Sequence, residues 1–259
     1  MGPTRLRTEF DRVRAVFFDL DDTLCGYWQA SREALHEAFT QHAPESHTAE
    51  EMVRAWARAF RKFSPSLKKS DWYATYLQRG EPTRTEQMRQ TLAEVGHEDE
   101  SRAQRLSETY ARERDARLRL FPEAPGVLEA LHGAYPLGLI TNGPADIQRQ
   151  EIETLGIGPL FDHILIEGEM GEGKPLPSVF RRAESMVGLP PAELLFVGNS
   201  YGHDILPAIE AGWSTAWIRR ATDVPPSTDG SAQTPEDRPS GSPPPTLEIG
   251  SLIELLSQA

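Results

Sequence analysis

The sequence predicts an α/β fold in which a parallel-sheet core is interrupted by an inserted all-helical domain. Three observations carry that prediction. Short apolar runs alternate with helical segments at the start and through the second half of the chain, the rhythm of strands laid parallel and covered on both faces. Residues 25–118 break the rhythm and contain helical signals only. The length of 259 residues, with 38% hydrophobic and 25% charged side chains, suits an α/β core plus a smaller insert.

Taken in order, Val13–Leu20 (VRAVFFDL) is apolar, β-branched and aromatic and ends in Asp-Asp-Thr. This spacing predicts a buried strand that delivers acids at its carboxyl end. In the insert, Ser31–His42, Ala49–Phe63, Asp71–Gln78, Thr85–Val95 and Ser101–Leu118 are rich in Ala, Leu, Glu and Arg and read as helices. The core then resumes with apolar runs at Leu137–Thr141, Phe161–Ile166, Leu194–Gly198 and Ser214–Ile218. Pro144–Leu155, Pro177–Val187 and Asp204–Ala211 are the helices between them. The stretch 221–246 is dominated by Pro, Ser, Gly and Asp. Too little apolar surface is available to order it, so it reads as a mobile surface loop within the core. Leu247–Leu256 returns to an apolar pattern and reads as a terminal helix. The domain boundaries expected are 1–24 and 119–259 for the core and 25–118 for the insert.

The formal net charge is -12, and it is unevenly spread. Residues 25–118 hold 15 basic and 15 acidic side chains, so all the excess lies in the rest of the chain. Such a surface repels nucleic acid, and an anionic small molecule needs a local cation. The single cysteine, Cys25, excludes an internal disulfide. No apolar segment reaches membrane-spanning length, and the N-terminal stretch has no signal-like apolar region. The expectation is a cytoplasmic protein, monomer or homodimer, with no membrane or nucleic-acid partner.

Four short motifs carry chemistry. In Phe17–Leu24 (FFDLDDTL), Asp19 and Asp21 stand two residues apart at a strand end. Carboxylates this close need a cation between them or a shared proton. One can attack phosphorus while the other donates and takes back a proton; alone, Asp-Asp-Thr also reads as a helix cap. Thr141, Asn142 and Gly143 follow the second run, where a hydroxyl and backbone N–H groups can seat an anion; alone, they also read as an ordinary turn. Lys174, within GEGKP, can neutralise a carboxylate and a phosphoryl group, or be a solvated surface lysine. In VGNSYGHDI, Asn199 and Asp204 follow a strand end; Asp204 offers hard oxygen to Mg²⁺, although it also reads as a helix cap. All four lie past the carboxyl ends of different predicted strands, where open α/β sheets bind ligands.

DLDDTL, ITNG, GKP and GNSYGHD, in that order, resemble the motifs of the haloacid-dehalogenase-like superfamily over nearly the whole chain. The insert is similar to the helical cap of the subfamily that places its cap between the first two motifs. The resemblance implies a Rossmann-like core and a Mg²⁺-dependent phosphohydrolase acting on a small phosphorylated metabolite. It implies that Asp19 is the nucleophile and that Asp21 is the acid/base, lending its backbone carbonyl to the metal. It further implies that Thr141, Asn142 and Gly143 seat the phosphoryl group with Lys174, and that Asp19, Asp21, Asp204 and Asn199 hold Mg²⁺. Many relatives carry Asp where this chain has Asn199, so weaker or altered magnesium binding is expected. Dehalogenases of the same fold need no proton donor, so Asp21 favours phosphate. A phosphomutase, or a binding protein that kept the fold, would be the alternatives. Sugar phosphates, nucleoside monophosphates and phosphoglycolate-like acids all fit as substrates. The aromatics Trp28, Trp56, Phe60, Phe63, Trp72, Tyr73 and Tyr76 read mostly as helix-packing residues. The basic stretch Arg58, Arg61, Lys62, Lys68 and Lys69 reads as a solvated face.

Overall fold

A computed structural model describes residues 5–257. Six parallel strands form one sheet in the order β3-β2-β1-β4-β5-β6. They are β1 (Ala15–Phe18), β2 (Leu137–Thr141), β3 (His163–Ile166), β4 (Leu194–Gly198), β5 (Ser214–Ile218) and β6 (Leu247–Ile249). β1, β2 and β4 are buried along their whole length, which is why they read as continuous apolar runs without alternation. Alternate side chains still part to opposite faces. Val16 and Phe18 join one core cluster with Leu128, Leu139 and Leu195. Ala15 and Phe17 join another with Phe180, Phe196 and Trp213. Gly138, beside Phe17 in the β1–β2 pairing, leaves room for that ring, since a Cβ there would lie 2.1 Å from it.

The stretch predicted as a terminal helix is instead β6, paired parallel with β5 through Ala216↔Leu247 and Ile218↔Ile249, followed by a 3₁₀ turn at Leu252–Leu255. A short apolar run fits either state; the open edge of β5 decides for a strand. Residues 221–246 carry no helix or strand, yet they are tied at several points. Arg58 and Arg61 donate to the carbonyls of Thr228 and Pro226, at 3.2 and 3.1 Å. Tyr201 Oη donates to Pro243 O at 2.6 Å.

The inserted segment is helical throughout: α1 (Tyr27–His42), α2 (Ala49–Leu67), α3 (Trp72–Gln78), α4 (Gly80–Ala93) and α5 (Glu100–Arg117). Thr48 and Glu51 start α2 with reciprocal side-chain to backbone bonds, as a capping box does. The insert has a core of its own, built from Leu35, Phe39, Met52, Met88, Leu92 and Leu106. Its entry and exit are laced together: Gly26 N donates to Arg119 O at 3.1 Å and Phe121 N to Leu24 O at 2.9 Å. The remaining helices, α6 (Ala124–His132), α7 (Ala145–Leu155), α8 (Glu167–Met170), α9 (Pro177–Val187) and α10 (Leu206–Glu210), flank the sheet. α6 and α8 have no counterpart in the sequence reading. A single π-turn at Tyr201–Ile205 precedes α10, so the helix there starts earlier than its sequence pattern suggests.

Candidate active site

The carboxyl ends of β1, β2 and β4 open on one cavity of about 490 Å³, roofed by the inserted helices, within the range usual for small-molecule sites. Asp19, Asp21, Thr141, Lys174, Asn199 and Asp204 all line it. Residues up to 185 positions apart in sequence therefore meet in one place, at the point where the strand order runs both ways from β1.

Lys174 is the hub. Its Nζ donates to Asp19 Oδ1 at 2.7 Å and to Asp204 Oδ1 at 2.6 Å. It is 2% exposed, so it is no surface lysine. Burial works to lower its pKa, but the two carboxylates outweigh burial and hold it above its ordinary value. Its backbone is fixed by Asn142, whose amide accepts from Lys174 N and donates to Lys174 O, both at 2.8 Å. The Asn142 side chain thus positions Lys174. Gly143 also departs from a free anion seat, because its N–H donates to Glu167 Oε2 at 3.1 Å.

Burial is the chief cause that pushes Asp19 up to about 6; Lys174 opposes it and Asp204 adds to it. Thr23 Oγ1 donates to Asp19 Oδ2 at 2.9 Å and lies 3.2 Å from Asn199 Oδ1. Asp21 is raised well above the carboxylate range, first by burial and then by Glu151, Asp19 and Asp22. These surroundings favour its protonated form, the state a general acid needs. Thr141 Oγ1 donates to Gln148 Oε1 at 2.6 Å, and Gln148 Nε2 reaches Asp21 Oδ2 at 3.4 Å and Glu151 Oε2 at 3.0 Å. Gln148 thereby couples the predicted phosphate seat to the predicted acid. Its place in the first turns of α7, just past Ile140–Gly143, was the signal that could have found it.

Other residues here were not visible in the sequence. Asp22 adopts a left-handed backbone, φ 59°, and accepts from Trp28 N at the start of α1. Burial first and Asp223 next push Asp22 up to about 8. Asp223, from the 221–246 stretch, accepts from Asn199 Nδ2 at 2.8 Å. That contact fixes which way the Asn199 amide points: its carbonyl oxygen faces Thr23. Glu167 binds Lys68 at 2.7 Å and Tyr73 Oη at 2.9 Å, joining α8 to the insert.

The helical insert adds to the sequence reading in two ways. Trp28, Trp56, Phe60, Phe63 and Tyr76 line the cavity, so most of the aromatics face a void as well as the packing, while Trp72 is exposed. The basic stretch is largely solvent-exposed, as expected, but it is also tied down: Arg58 and Arg61 hold the 221–246 backbone, Lys62 pairs with Glu94 and Lys68 with Glu167. Cys25 is buried, and burial with the neighbouring acids pushes its thiol up, as suits a packing residue. His203 is exposed at the cavity rim.

A family model for the haloacid dehalogenase-like hydrolases matches residues 13–212. The chain belongs to the haloacid dehalogenase-like hydrolases. The match spans all four motifs and the insert between the first and second. A relative named phosphoserine phosphatase, from Thermus thermophilus, is 32% identical over 94% of this chain and 98% of its own length. The structure is similar to that of YfnB, a HAD-hydrolase from Bacillus subtilis bound to magnesium, with TM-score 0.71 at 22% identity over 94% and 97% of the two chains. It is also similar to a 2-haloacid dehalogenase from Pseudomonas syringae, with TM-score 0.59 at 26% identity over 94% and 96%. No helix among the described residues is long and apolar enough to cross a membrane.

Proposed function

We propose that this hydrolase cleaves small phosphomonoesters through a phosphorylated Asp19, under a helical cap formed by residues 25–118. One observation supports the reading above the rest: a second carboxyl group, Asp21, whose burial favours its protonated form, shares the cavity with a carboxylate set against a buried lysine, Asp19. A dehalogenating relative of this fold would need the second without the first, because halide leaves unprotonated. The relation to a phosphatase along the whole chain points the same way.

Magnesium is the ion the family implies. The donors fit it: two carboxylates, Asp19 and Asp204, the main-chain carbonyl of Asp21 and the amide oxygen of Asn199 are all hard oxygens. Among the described residues no cluster of three His, Cys, Asp or Glu side chains forms a cage, and Mg²⁺ characteristically takes one or two carboxylates and fills its shell with water and phosphate oxygen. The cavity's carboxyl groups also outnumber its cations. Bound there, the ion would neutralise charge on the phosphoryl oxygens.

The residues then divide the work. Lys174 and Thr23 orient the Asp19 carboxylate, and Lys174 offsets its charge as the phosphoryl group approaches. Asp19 attacks phosphorus, and the ester P–O bond breaks. Asp21 gives its proton to the leaving oxygen, so the alcohol departs neutral. Asp21, now a carboxylate, takes a proton from water as that water attacks the aspartyl phosphate. The bond to Asp19 breaks, releasing phosphate and restoring both acids. The aromatic and helical roof excludes bulk water during the first step.

The test is hydrolysis of p-nitrophenyl phosphate and a panel of natural phosphomonoesters, with Mg²⁺ and with EDTA, by wild type and Asp19→Asn. Metal-dependent phosphate release by wild type alone is expected. Turnover by Asp19→Asn near the wild-type rate, or chloride release from chloroacetate with no phosphate released from any ester, would overturn the reading.

A further inference from the structure

The cavity has two unlike walls. On α2, Trp56, Phe60, Phe63 and Leu67 face it at helical spacing, and Trp56 stacks on Phe60 with ring centroids 4.9 Å apart. On α4, Gly80, Thr83, Arg84 and Gln87 face it, again one stripe of a helix, but this stripe is polar. A helix turned toward a buried space ordinarily presents apolar side chains, so a stripe of this composition asks for a polar occupant.

The polar groups on these walls are short of partners. Gln87 is 6% exposed, and neither its Nε2 nor its Oε1 has a hydrogen-bond partner among the described residues; the same holds for Trp56 Nε1. Leaving such buried groups unpartnered is costly, a deficit that an occupant of the cavity can make good. Arg84 makes one hydrogen bond from its guanidinium among the described residues, Nε to Ser107 Oγ at 3.1 Å. It forms no ion pair with a described carboxylate. Its neighbour Arg114 is matched differently, with Asp115 at 2.8 Å and Glu151 at 3.4 Å. Burial, and after it the charge of Arg114, lower the Arg84 pKa, as expected of a half-buried cation that lacks its counter-ion. A planar guanidinium with free N–H groups, an unpaired amide and an unpaired indole N–H suit a planar, two-oxygen anion.

We propose that the α4 wall binds a carboxylate, so that the substrate is a small phosphomonoester whose organic part carries one, held by Arg84 and Gln87 while its remaining surface lies on the α2 aromatics. This rests on the phosphomonoesterase reading and narrows it. Arg84 and Gln87 act as specificity residues; neither touches the reacting phosphorus.

The experiment uses ligands that differ in the carboxylate alone: 3-phosphoglycerate against glycerol 3-phosphate, and O-phosphoserine against phosphoethanolamine. Affinity is measured calorimetrically on Asp19→Asn, and on that variant with Arg84→Met or Gln87→Leu added; turnover is measured on the active background. The carboxylate member of at least one pair should bind at least tenfold more tightly. Arg84→Met should erase that preference, raising KM for the acid by tenfold or more with kcat little changed, as loss of uniform binding does. p-Nitrophenyl phosphate should be cleaved by Arg84→Met within twofold of wild type. Equal affinity within both pairs would overturn the inference, as would an Arg84→Met loss of the same size on the aryl ester. Failure of wild type to hydrolyse any phosphate would instead sink the phosphatase reading, while the affinity comparison would still decide whether the wall selects a carboxylate.

Discussion

Replacing Lys174 by Met tests the centre of the site directly. The ammonium sits 2.7 Å from Asp19 and 2.6 Å from Asp204, and the three residues are 2%, 7% and 1% exposed. Methionine fills most of the volume and removes the charge, leaving two buried carboxylates facing each other. Removing one partner of a buried pair costs about 3–5 kcal/mol. At roughly 2–4 °C per kcal/mol for a chain of this size, Tm should fall on the order of 6–20 °C. The assay is thermal and urea unfolding in EDTA, with aryl-phosphate turnover measured in parallel. Turnover should vanish. A second variant separates charge from packing: Lys174→Met/Asp204→Asn removes one of the stranded charges and should recover at least about 1 kcal/mol, the sign opposite to additivity. A Lys174→Met protein within 1 kcal/mol of wild type, or a double variant less stable than the single, would refute the argument that Lys174 is held there by charge.

Three further outcomes follow from particular contacts. Gly198→Ala would place a Cβ 2.5 Å from Asp204 Oδ2; the carboxylate must move, so kcat should drop at least tenfold while stability falls by only about 1–3 kcal/mol, read by kinetics and urea titration. Asp223→Ala releases the Asn199 amide, and magnesium affinity measured by calorimetry should weaken about tenfold, in line with other residues that orient a ligand; unchanged affinity would show that the amide is fixed by other means. Gly168→Ala would set a Cβ 2.2 Å from both Ala145 N and Leu77 O, which are backbone atoms that cannot swing away; the protein should lose stability or hold α3 apart from α7, seen as faster amide exchange in residues 72–78.

The legible part of the site was its list of acids and the lysine. Asp19, Asp21, Lys174 and Asp204 were readable because each follows a short apolar run, and a buried parallel strand can deliver a side chain only at its end. Glu151 and Arg114 were not readable. Each sits in an ordinary helical pattern, and nothing local tells an inward-facing polar residue from a solvated one. Asp223 was hidden more thoroughly, since it lies in a Pro- and Ser-rich stretch whose composition argues against structure, yet its carboxylate reaches Asn199. The terminal strand was misjudged as a helix because Leu247–Leu256 is too short for its period to decide.

By itself the sequence determined the strand–helix alternation, the helical nature of residues 25–118 and the chemistry available at the strand ends, because these follow from local periodicity and from residue type. The tertiary structure alone decided which of those groups meet. Lys174 lies between Asp19 and Asp204 because β1 is central and the chain crosses over it between β3 and β4, the connection that carries Lys174. Whether a carboxyl group in the site holds its proton depends on burial and on charges brought from distant segments, and one cavity wall is aromatic and the other polar because two helices of the insert turn different stripes toward the same space. Those are long-range facts: electrostatic coupling and solvent exclusion act through space, and the order of residues along a chain does not record them.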